Sequence, residues 1–173
     1  MYILFIGDTN VGKTTIIDKI KEICQGKSQT IMDKSITLGI KTYQVNYKGS
    51  ILRLIDSGEY YSHQTILQGF LPYVSFVVVV YDIYSKESFR YAVRLFWEFS
   101  TKYNNIYKTY LLGNKIDSPG NRNRNLQWEN DHTIKVSGKT GENVEEILKI
   151  FKIAEKNDEK EEGAKNNEWC CFF

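Results

Sequence analysis

The chain has 173 residues, and its 23 Lys and Arg against 21 Asp and Glu leave a formal net charge of +2. This length fits one domain with a substantial core, since a chain of about 150 residues buries about 70% of its surface on folding. The near balance of charge excludes recognition of nucleic acid by overall charge, so binding must be local. Three cysteines, Cys24, Cys170 and Cys171, do not make the pattern of a disulfide framework and favour a reducing compartment.

The apolar run from Tyr2 to Ile6 predicts a first strand at the start of the chain. We therefore expect no signal peptide, and a tyrosine stands where N-myristoylation requires a glycine. The most apolar segment, Val74 to Tyr81, is shorter than the about 20 residues that cross a bilayer, so it predicts a buried parallel strand.

The segment from Gly7 to Thr14 matches the pattern G-x-x-x-x-G-K-S/T between a predicted strand and a predicted helix, which indicates a phosphate-binding loop. Its glycines let successive backbone N–H groups converge on a phosphate, and the helix N-terminus adds a positive end. Lys13 is expected to reach the β- and γ-phosphates, while the Thr14 hydroxyl is expected to ligate Mg²⁺. The predicted nucleotide contacts of this loop are Gly7, Asn10, Val11, Gly12, Lys13, Thr14 and Thr15.

Short β-branched or aromatic runs alternate with helical patterns along the chain, which is typical of βαβ units. They predict an α/β fold in which six strands form a mostly parallel sheet with helices on both faces. The predicted strands are Tyr2 to Ile6, Ile40 to Tyr47, Ile51 to Ile55, Val74 to Tyr81, Tyr107 to Leu112 and Thr133 to Val136. The predicted helices are Thr14 to Cys24, Ser62 to Phe70, Lys86 to Tyr103 and Gly141 to Lys156.

The apolar periodicity also predicts where the folded domain ends. In the third predicted helix, the spacing of Trp97 from Phe89, Val93 and Phe96 assigns this tryptophan to the core. After residue 156 the periodicity is lost and acidic residues dominate. Residues 1–156 are therefore predicted to form the domain, and residues 157–173 a flexible tail.

The ends of the later strands carry residues suited to reading a guanine base, because parallel sheets bind ligands at the carboxyl ends of their strands. After the fifth predicted strand, Asn114-Lys115-Ile116-Asp117 matches N-K-x-D. The Asp117 carboxylate can accept hydrogen bonds from both N1–H and the 2-amino group of guanine, which adenine cannot offer. Lys115 is expected to lie along the base, and Asn114 to hydrogen-bond toward the phosphate loop. The predicted base contacts after the sixth strand are Ser137, Gly138 and Lys139.

Asp56 directly follows the third predicted strand, where a carboxylate can hold Mg²⁺ through a water molecule. Thr37, between the first helix and the second strand, is a candidate for a second hydroxyl on the metal, with an ordinary loop threonine as the alternative. The predicted metal ligands are therefore Thr14, Thr37 and Asp56. His63 and His132 have no metal-ligand spacing and are interpreted as ordinary surface or loop residues.

Together these motifs resemble the Ras superfamily of small GTPases, from Tyr2 to about Phe151 and again at the C-terminus. The segments Val79 to Ile83 and Ser137 to Val144 are most similar to the Rab branch. The segment Gly12 to Ile16 and the short interval from Thr37 to Asp56 are more similar to the Arf branch. The assignment between these branches stays open.

The resemblance implies a three-layer P-loop NTPase fold, GTP or GDP with Mg²⁺ as ligands, and a switch cycle in which hydrolysis releases two loops. It implies as partners a guanine-nucleotide exchange factor, a GTPase-activating protein, effectors, a prenyl transferase and a chaperone of the GDP-dissociation-inhibitor type. It further implies a role in vesicle traffic or signalling on the cytosolic face of an intracellular or plasma membrane. Nucleic acid is not an expected partner.

One segment departs from the family pattern, which reads D-x-x-G and then a Gln that orients the attacking water. This chain reads Asp56-Ser57-Gly58-Glu59-Tyr60-Tyr61. Tyr60 replaces the Gln if no gap is made, whereas Glu59 replaces it if one residue is deleted. Neither supplies the amide, so we expect slow GTP hydrolysis with Lys13, Thr37, Glu59 and Tyr60 as the catalytic set. The alternative is a GTP- or GDP-binding adaptor that recruits effectors without significant turnover.

The last four residues, Cys170-Cys171-Phe172-Phe173, fit C-a-a-X with Phe at X, which favours geranylgeranyl addition. The adjacent Cys170 and Cys171 also resemble the doubly modified ends of Rab proteins. A second lipid would convert marginal membrane binding into stable anchoring. Addition of one or of two prenyl groups stays open, and an unmodified, oxidisable cysteine pair is the alternative.

Overall fold

Strands and helices alternate along the chain, as the periodicity of its apolar residues predicts. The computed structural model describes residues 1–25, 34–37, 39–58, 60–102, 108–119 and 133–152. Its strands are β1 (Tyr2–Gly7), β2 (Lys34–Thr37), β3 (Ile40–Tyr47), β4 (Ser50–Ser57), β5 (Val74–Asp82), β6 (Lys108–Asn114) and β7 (Thr133–Lys135). Its helices are α1 (Lys13–Gln25), α2 (Gln64–Gln68), α3 (Lys86–Lys102) and α4, described over residues 144–152.

The described strands form a single sheet in the order β2-β3-β4-β1-β5-β6-β7. The neighbouring strands β4, β1, β5, β6 and β7 pair in parallel, whereas β3 is antiparallel to both of its neighbours. Because parallel strands point the same way, the carboxyl ends of β1, β4, β5, β6 and β7 lie at one edge of the sheet. All the predicted phosphate, metal and base residues follow strands at this edge or lie beside them.

Successive side chains of β1 enter two separate cores, one on each face of the sheet. Ile3 and Phe5 pack in the same cluster as residues of α1 and α4, whereas Leu4 and Ile6 pack with residues of α3. A strand that is apolar on both faces requires cover on both sides. The predicted α/β class, with a mostly parallel sheet and helices on both faces, is confirmed.

The sheet contains a seventh strand, β2, that the sequence analysis does not predict. It pairs antiparallel to β3, with Lys34 opposite Thr42 and Thr37 opposite Ile40. Only four residues long, β2 lacks an apolar alternation of its own and is an edge strand defined by its neighbour. The expected count of six strands is thereby corrected, and Thr37 ends a strand instead of lying in a loop.

Two predicted helical features differ in the structure. The predicted helix from Ser62 to Phe70 is shortened to α2, which has a 3-10 turn on each side, Tyr61–His63 and Leu71–Tyr73. Trp97, predicted in the core, is 49% exposed. The buried face of α3 is set instead by Ala92, Leu95, Phe96 and Phe99, whose spacing of three and four residues points away from Trp97.

Candidate nucleotide-binding site

The Lys13 side chain folds back and forms hydrogen bonds with the loop between β1 and α1. The Lys13 ammonium donates hydrogen bonds to the carbonyl oxygens of Gly7 at 3.1 Å and Asp8 at 2.6 Å, and the residue is only 7% exposed. Because Lys13 is also the first residue of α1, its charge lies beside the positive N-terminal end of that helix. The loop therefore concentrates positive charge, as binding a phosphate group requires.

Only glycine fits at position 12, because this loop lies very close to Asn114 at the end of β6. Its φ angle is +93°, and a Cβ atom added there would lie 2.3 Å from the Asn114 amide nitrogen. That amide nitrogen instead donates a hydrogen bond to the Val11 carbonyl oxygen at 2.8 Å. Any residue with a side chain at position 12 would push the two loops apart. Val11, predicted as a nucleotide contact, is 1% exposed and so presents only backbone atoms here.

A cavity of about 510 Å³ lies in front of this loop. On one side it is bounded by the phosphate loop, including Asn10 and Thr15, and on the other by Gly39, Lys41 and the segment Asp56 to Gly58. Asp56 is predicted to lie here, whereas Lys41, the second residue of β3, is not. Only the alternation of β3 side chains could have indicated that Lys41 shares a face with Asp56.

Thr14 and Asp56 form the part of the cavity suited to a divalent cation. The Thr14 hydroxyl donates to the Asp56 carboxylate at 2.6 Å. Burial raises the pKa of Asp56, while this hydrogen bond and the charges of Lys13 and Lys41 act in the opposite direction. Hydroxyl and carboxylate oxygens are the hard ligands that Mg²⁺ prefers.

The described residues alone do not enclose a metal ion. None of their His, Cys, Asp and Glu side chains form a group of three that could hold one. Mg²⁺ commonly uses one or two protein ligands and takes the rest from phosphate oxygens and water. The Thr14 and Asp56 pair fits that mode of binding. Thr37, the third predicted ligand, is described only as the last backbone position of β2.

His63 lies against two glycines of the cavity wall, which the sequence analysis does not predict. A Cβ atom added at Gly39 would lie 2.4 Å from His63 Nε2, and one added at Gly58 would lie 3.0 Å from His63 Cε1. The two glycines are joined directly, since the Gly58 N–H donates to the Gly39 carbonyl oxygen at 3.0 Å. His63 is therefore a half-buried packing residue behind the cavity, not an ordinary surface histidine.

Asn114 connects the phosphate loop to the predicted base site. It is 2% exposed, and besides its bond to Val11 its amide oxygen accepts a hydrogen bond from the Gly138 N–H at 2.9 Å. One side chain thus holds three loops in a fixed arrangement. This agrees with the expectation that Asn114 reaches back toward the phosphate loop.

The Asp117 carboxylate is oriented by its neighbour across the site. The Ser137 hydroxyl donates to it at 2.6 Å and holds its pKa below the ordinary aspartate value, with Lys139 and Lys115 contributing further. An ionised carboxylate with a fixed orientation is the acceptor that the guanine N1–H and 2-amino groups need. Ser137 is completely buried, so its part is to position Asp117.

The predicted base site is also held by contacts from the end of β5. The Lys115 ammonium forms an ion pair with Asp82 at 2.8 Å, and the Tyr84 hydroxyl donates to the Ser118 carbonyl oxygen. Lys115 adopts a positive φ of +73°, which turns the chain sharply between β6 and Asp117. Sequence reasoning missed Asp82 and Tyr84, because their contacts join loops far apart in the chain.

The structure does not bring Tyr60 to the cavity. It is 1% exposed and packs edge-on against Phe99 of α3, with ring centroids 5.3 Å apart. Its side chain belongs to the apolar cluster that also contains Leu4 and Ile6. Glu59, Cys170 and Cys171, which the sequence analysis also assigns to function, lie outside the described residues.

No helix within the described ranges is both long enough and apolar enough to cross a membrane.

Comparison with known proteins gives one family and several relatives. The model of the Ras family matches residues 2–157. The human Ras-related protein Rab-30 is 27% identical over 155 residues, covering 84% of this chain and 75% of its own. The Ras-related protein Rab-32D of Dictyostelium discoideum is 26% identical over 182 residues, covering 96% and 78% respectively. The GTP-binding protein YPTM1 of Zea mays is 28% identical over 120 residues, covering 69% and 57%.

Proposed function

Because the chain belongs to the Ras family of small GTPases and is Rab-like within it, we propose that it is a Mg²⁺-dependent guanine-nucleotide switch with slow intrinsic GTP hydrolysis. The observation that carries the guanine assignment is the Asn114 side chain, which ties the phosphate loop to the loop holding Gly138. This link supports the proposal that the Lys13 ammonium and the Asp117 carboxylate belong to one binding site. A nucleoside triphosphate is the ligand with charge at one end and a hydrogen-bonding base at the other.

Each part of the site has a distinct role in holding this ligand. The phosphate loop and Lys13 bind the β- and γ-phosphates, and Thr14 and Asp56 would hold Mg²⁺, with Thr37 as a further candidate ligand. When bound, the ion neutralises charge on the phosphate oxygens. Asp117 selects guanine, since two charge-assisted hydrogen bonds are lost with adenine.

The proposal of slow hydrolysis depends on which residue stands at the position of the family's Gln. Tyr60 lies in the apolar core, whereas Gly58 lines the cavity and its N–H faces Gly39. These placements favour the alignment with one residue deleted, in which Gly58 is the family glycine and Glu59 replaces the Gln. An ionised Glu59 would repel the γ-phosphate and offers no N–H donor to it or to the attacking water.

Nucleotide selectivity is the first test. Purified full-length protein should bind GTP and GDP at least about hundredfold more tightly than ATP and ADP, since two charge-assisted hydrogen bonds distinguish the bases. Competition against a fluorescent GDP analogue measures the ratio. Asp117→Ala should lose most of this preference, with Glu146→Ala as a control on an exposed carboxylate of α4, outside the nucleotide site. Equal affinity for adenine and guanine nucleotides would overturn the proposed function.

Single-turnover hydrolysis is the second test, and two variants separate the alignments. Glu59→Gln should raise the rate of phosphate release by roughly tenfold or more, because it removes a repelling charge and restores the amide. Tyr60→Gln should leave the rate unchanged per folded molecule and lower thermal stability. A wild-type rate that the Gln variant does not exceed would refute the assignment of Glu59.

The presence of Glu59 in place of the family's Gln also favours a second candidate function. This candidate is an adaptor that binds GTP or GDP and recruits effectors without significant turnover. The same single-turnover assay, repeated with cell extract, distinguishes the two. Extract should accelerate phosphate release from a regulated GTPase, because a GTPase-activating protein supplies missing groups. Phosphate release no faster than the hydrolysis of unbound GTP, both with and without extract, would support the adaptor.

We propose further that Cys170 and Cys171 carry prenyl groups that bring the protein to a cytosolic membrane surface in vesicle traffic or signalling. The mass of protein isolated from eukaryotic cells should exceed that of the polypeptide by one or two geranylgeranyl groups. Single and double Cys→Ser variants assign them, and flotation with vesicles measures anchoring. Unmodified mass in wild-type protein would reject this part of the proposal.

A further inference from the structure

Lys41 is a cation of the phosphate cavity that the nucleotide-binding motifs do not include. It lies on β3 directly opposite Asp56 of β4, and both residues line the cavity together with Lys13 and Thr14. Its side chain is exposed to solvent, and within the described part of the chain it forms no ion pair or hydrogen bond. An ammonium on the cavity wall can contact a ligand that enters the cavity.

The charges that line the cavity explain what this ligand should be. The charged residues on its described wall are Lys13, Lys41 and Asp56, which leaves an excess of positive charge. Lys13 already donates to two loop carbonyl oxygens, whereas Lys41 donates to no carbonyl oxygen among the described residues. The charge of Lys41 acts on the metal side of the cavity, since Lys41 lies directly opposite Asp56 in the pairing of β3 with β4. Such a cavity attracts a multiply charged anion even before a cation is added.

The position of Lys41 within the site identifies the phosphate that it would meet. The base site lies beyond Asn114, on the other side of the phosphate loop. Thr14 and Asp56 are the residues that would hold the metal, which would neutralise charge on the phosphates at the end of the ligand remote from the base. Lys41 lies beside Asp56 and away from the base, and therefore at the terminal phosphate of a triphosphate.

We propose that Lys41 is a further phosphate-binding residue, whose ammonium contacts the terminal phosphate of GTP and takes over part of the charge neutralisation that Mg²⁺ supplies. This inference depends on the proposed function, because it requires a guanine nucleotide in the cavity. Lysine suits the role as a compact point charge on a long stem, which can follow the phosphate when the surrounding loops move.

Two consequences follow from placing a lysine beside a metal carboxylate. The lysine repels a divalent cation near Asp56, so Mg²⁺ should contribute less to nucleotide retention than it would without Lys41. The lysine also binds the γ-phosphate, which GDP lacks, so its effect should be larger on GTP than on GDP. Because Lys41 is exposed, both effects should weaken as ionic strength rises.

Dissociation of fluorescent GTP and GDP analogues from the full-length protein tests the inference, first in excess Mg²⁺ and then in EDTA. Lys41→Gln should speed release of the GTP analogue in EDTA about tenfold, the loss expected for one charge-assisted hydrogen bond. In excess Mg²⁺ the acceleration should be about threefold, because the metal then carries most of the neutralisation. Release of the GDP analogue should change less than about twofold under either condition.

Three matched variants separate a phosphate contact from a general effect of charge. Lys48→Gln removes the same charge from the turn of the same hairpin and should not alter release. Lys41→Arg keeps a cation at the site and should retain most of the wild-type behaviour. Lys41→Glu adds a second carboxylate beside Asp56 and should make release depend more steeply on Mg²⁺ than in Lys41→Gln.

The outcomes distinguish this inference from the proposed function. If Lys41→Gln releases the GTP analogue in EDTA no faster than Lys48→Gln does, Lys41 does not contact the terminal phosphate, while guanine binding stands. An equal acceleration for GDP and GTP analogues would likewise overturn the contact with the terminal phosphate. If the wild-type protein shows no preference for guanine nucleotides, the proposed function fails first and the inference falls with it.

Discussion

His63 and Gly39 illustrate how a single contact determines the shape of the cavity wall. Gly39 has a φ of +90°, and its missing side chain leaves the space that the His63 ring fills. The ring also packs on Gly58, whose N–H is bonded to Gly39. Gly39 and Gly58, in the two segments expected to respond to the γ-phosphate, are therefore linked by a hydrogen bond and by the His63 ring.

Gly39→Ala should destabilise the protein by about 2 kcal/mol, because alanine is strained at positive φ and its Cβ would meet the ring. Urea unfolding of Gly39→Ala, His63→Ala and the double variant gives the coupling free energy between the two positions. The double variant should be less destabilised than the sum of the single variants, since without the ring only the backbone strain remains. Strict additivity would show that the ring and the added methyl group do not meet.

Asp56 shows a conflict between stability and ligand binding at one residue. Its pKa is raised mainly by burial, so the folded, nucleotide-free protein holds the proton more tightly than the unfolded chain does. The free energy of unfolding should therefore fall as pH rises from the ordinary aspartate pKa through the raised one. The ionised carboxylate that costs stability without a ligand is the form that would hold Mg²⁺.

Asp56→Asn should remove this contribution to the pH dependence and raise the melting temperature of the nucleotide-free protein at neutral pH. The asparagine oxygen can still accept the hydrogen bond from Thr14. The same variant should lose most of the stabilisation that Mg²⁺ adds to the nucleotide complex. Thermal unfolding across a pH series, with the nucleotide removed and then restored with Mg²⁺, measures both. A variant less stable than wild type without nucleotide would contradict the argument.

The segment that precedes α2 is anchored on α3 by two aromatic residues. Tyr60 packs edge-on against Phe99, and the Tyr61 hydroxyl donates to Glu98 at 3.0 Å. The guanidinium of Arg94 lies 5.0 Å from the centre of the Tyr61 ring. The element that should move with the nucleotide thus begins from a fixed point, so motion is expected nearer to Gly58.

Tyr60→Ala should lower the free energy of unfolding by about 3 to 4 kcal/mol, the usual cost of removing a buried aromatic side chain. Tyr73→Ala is the control, because Tyr73 is 67% exposed and its loss should cost less than about 1 kcal/mol. Denaturant unfolding measures both values. A small cost at Tyr60 would mean that its ring is not part of the core, and the alignment that places it beside the phosphate would regain support.

At the level of the whole molecule, helix α4 completes the core on one face of the sheet. Ile147, Leu148 and Phe151 are each at most 2% exposed and pack in the same cluster as Ile3 and Phe5. The family match ends at residue 157. We therefore propose that the folding unit closes at about residue 156.

A chain ending at residue 156 should keep the thermal stability and guanine-nucleotide affinity of the full chain, while a chain ending at residue 143 should not fold. The shorter chain loses four buried apolar side chains, Val144 and the three named above. Loss of a buried Ile, Leu or Phe side chain alone costs about 2 to 5 kcal/mol, against a total stability of about 5 to 15 kcal/mol. Circular dichroism melting and nucleotide binding report on both truncations. Loss of stability on removing residues 157–173 alone would show that the tail belongs to the domain.

The strands and the binding loops could be predicted from the sequence because their signals are local. The valine run of β5 is apolar on both faces, and the glycines and lysine of the phosphate loop stand at fixed spacing between a strand and a helix. The motif from Asn114 to Asp117 follows β6, and the edge where ligands bind follows from the parallel order of the strands. Motifs whose residues lie close together in the sequence therefore predict the class of ligand.

The contacts between distant segments were decided only by the tertiary structure. Strand β2 is defined by pairing with β3, and Lys41 reaches the cavity because β3 lies in register with Asp56 of β4. His63 lies behind two glycines that belong to different segments. Periodicity reports which face of an element is buried, but not which partner it meets. The sequence by itself therefore determined the fold class and the guanine-nucleotide motifs, whereas the packing of distant elements decided that Tyr60 lies in the core and Lys41 lies in the phosphate cavity.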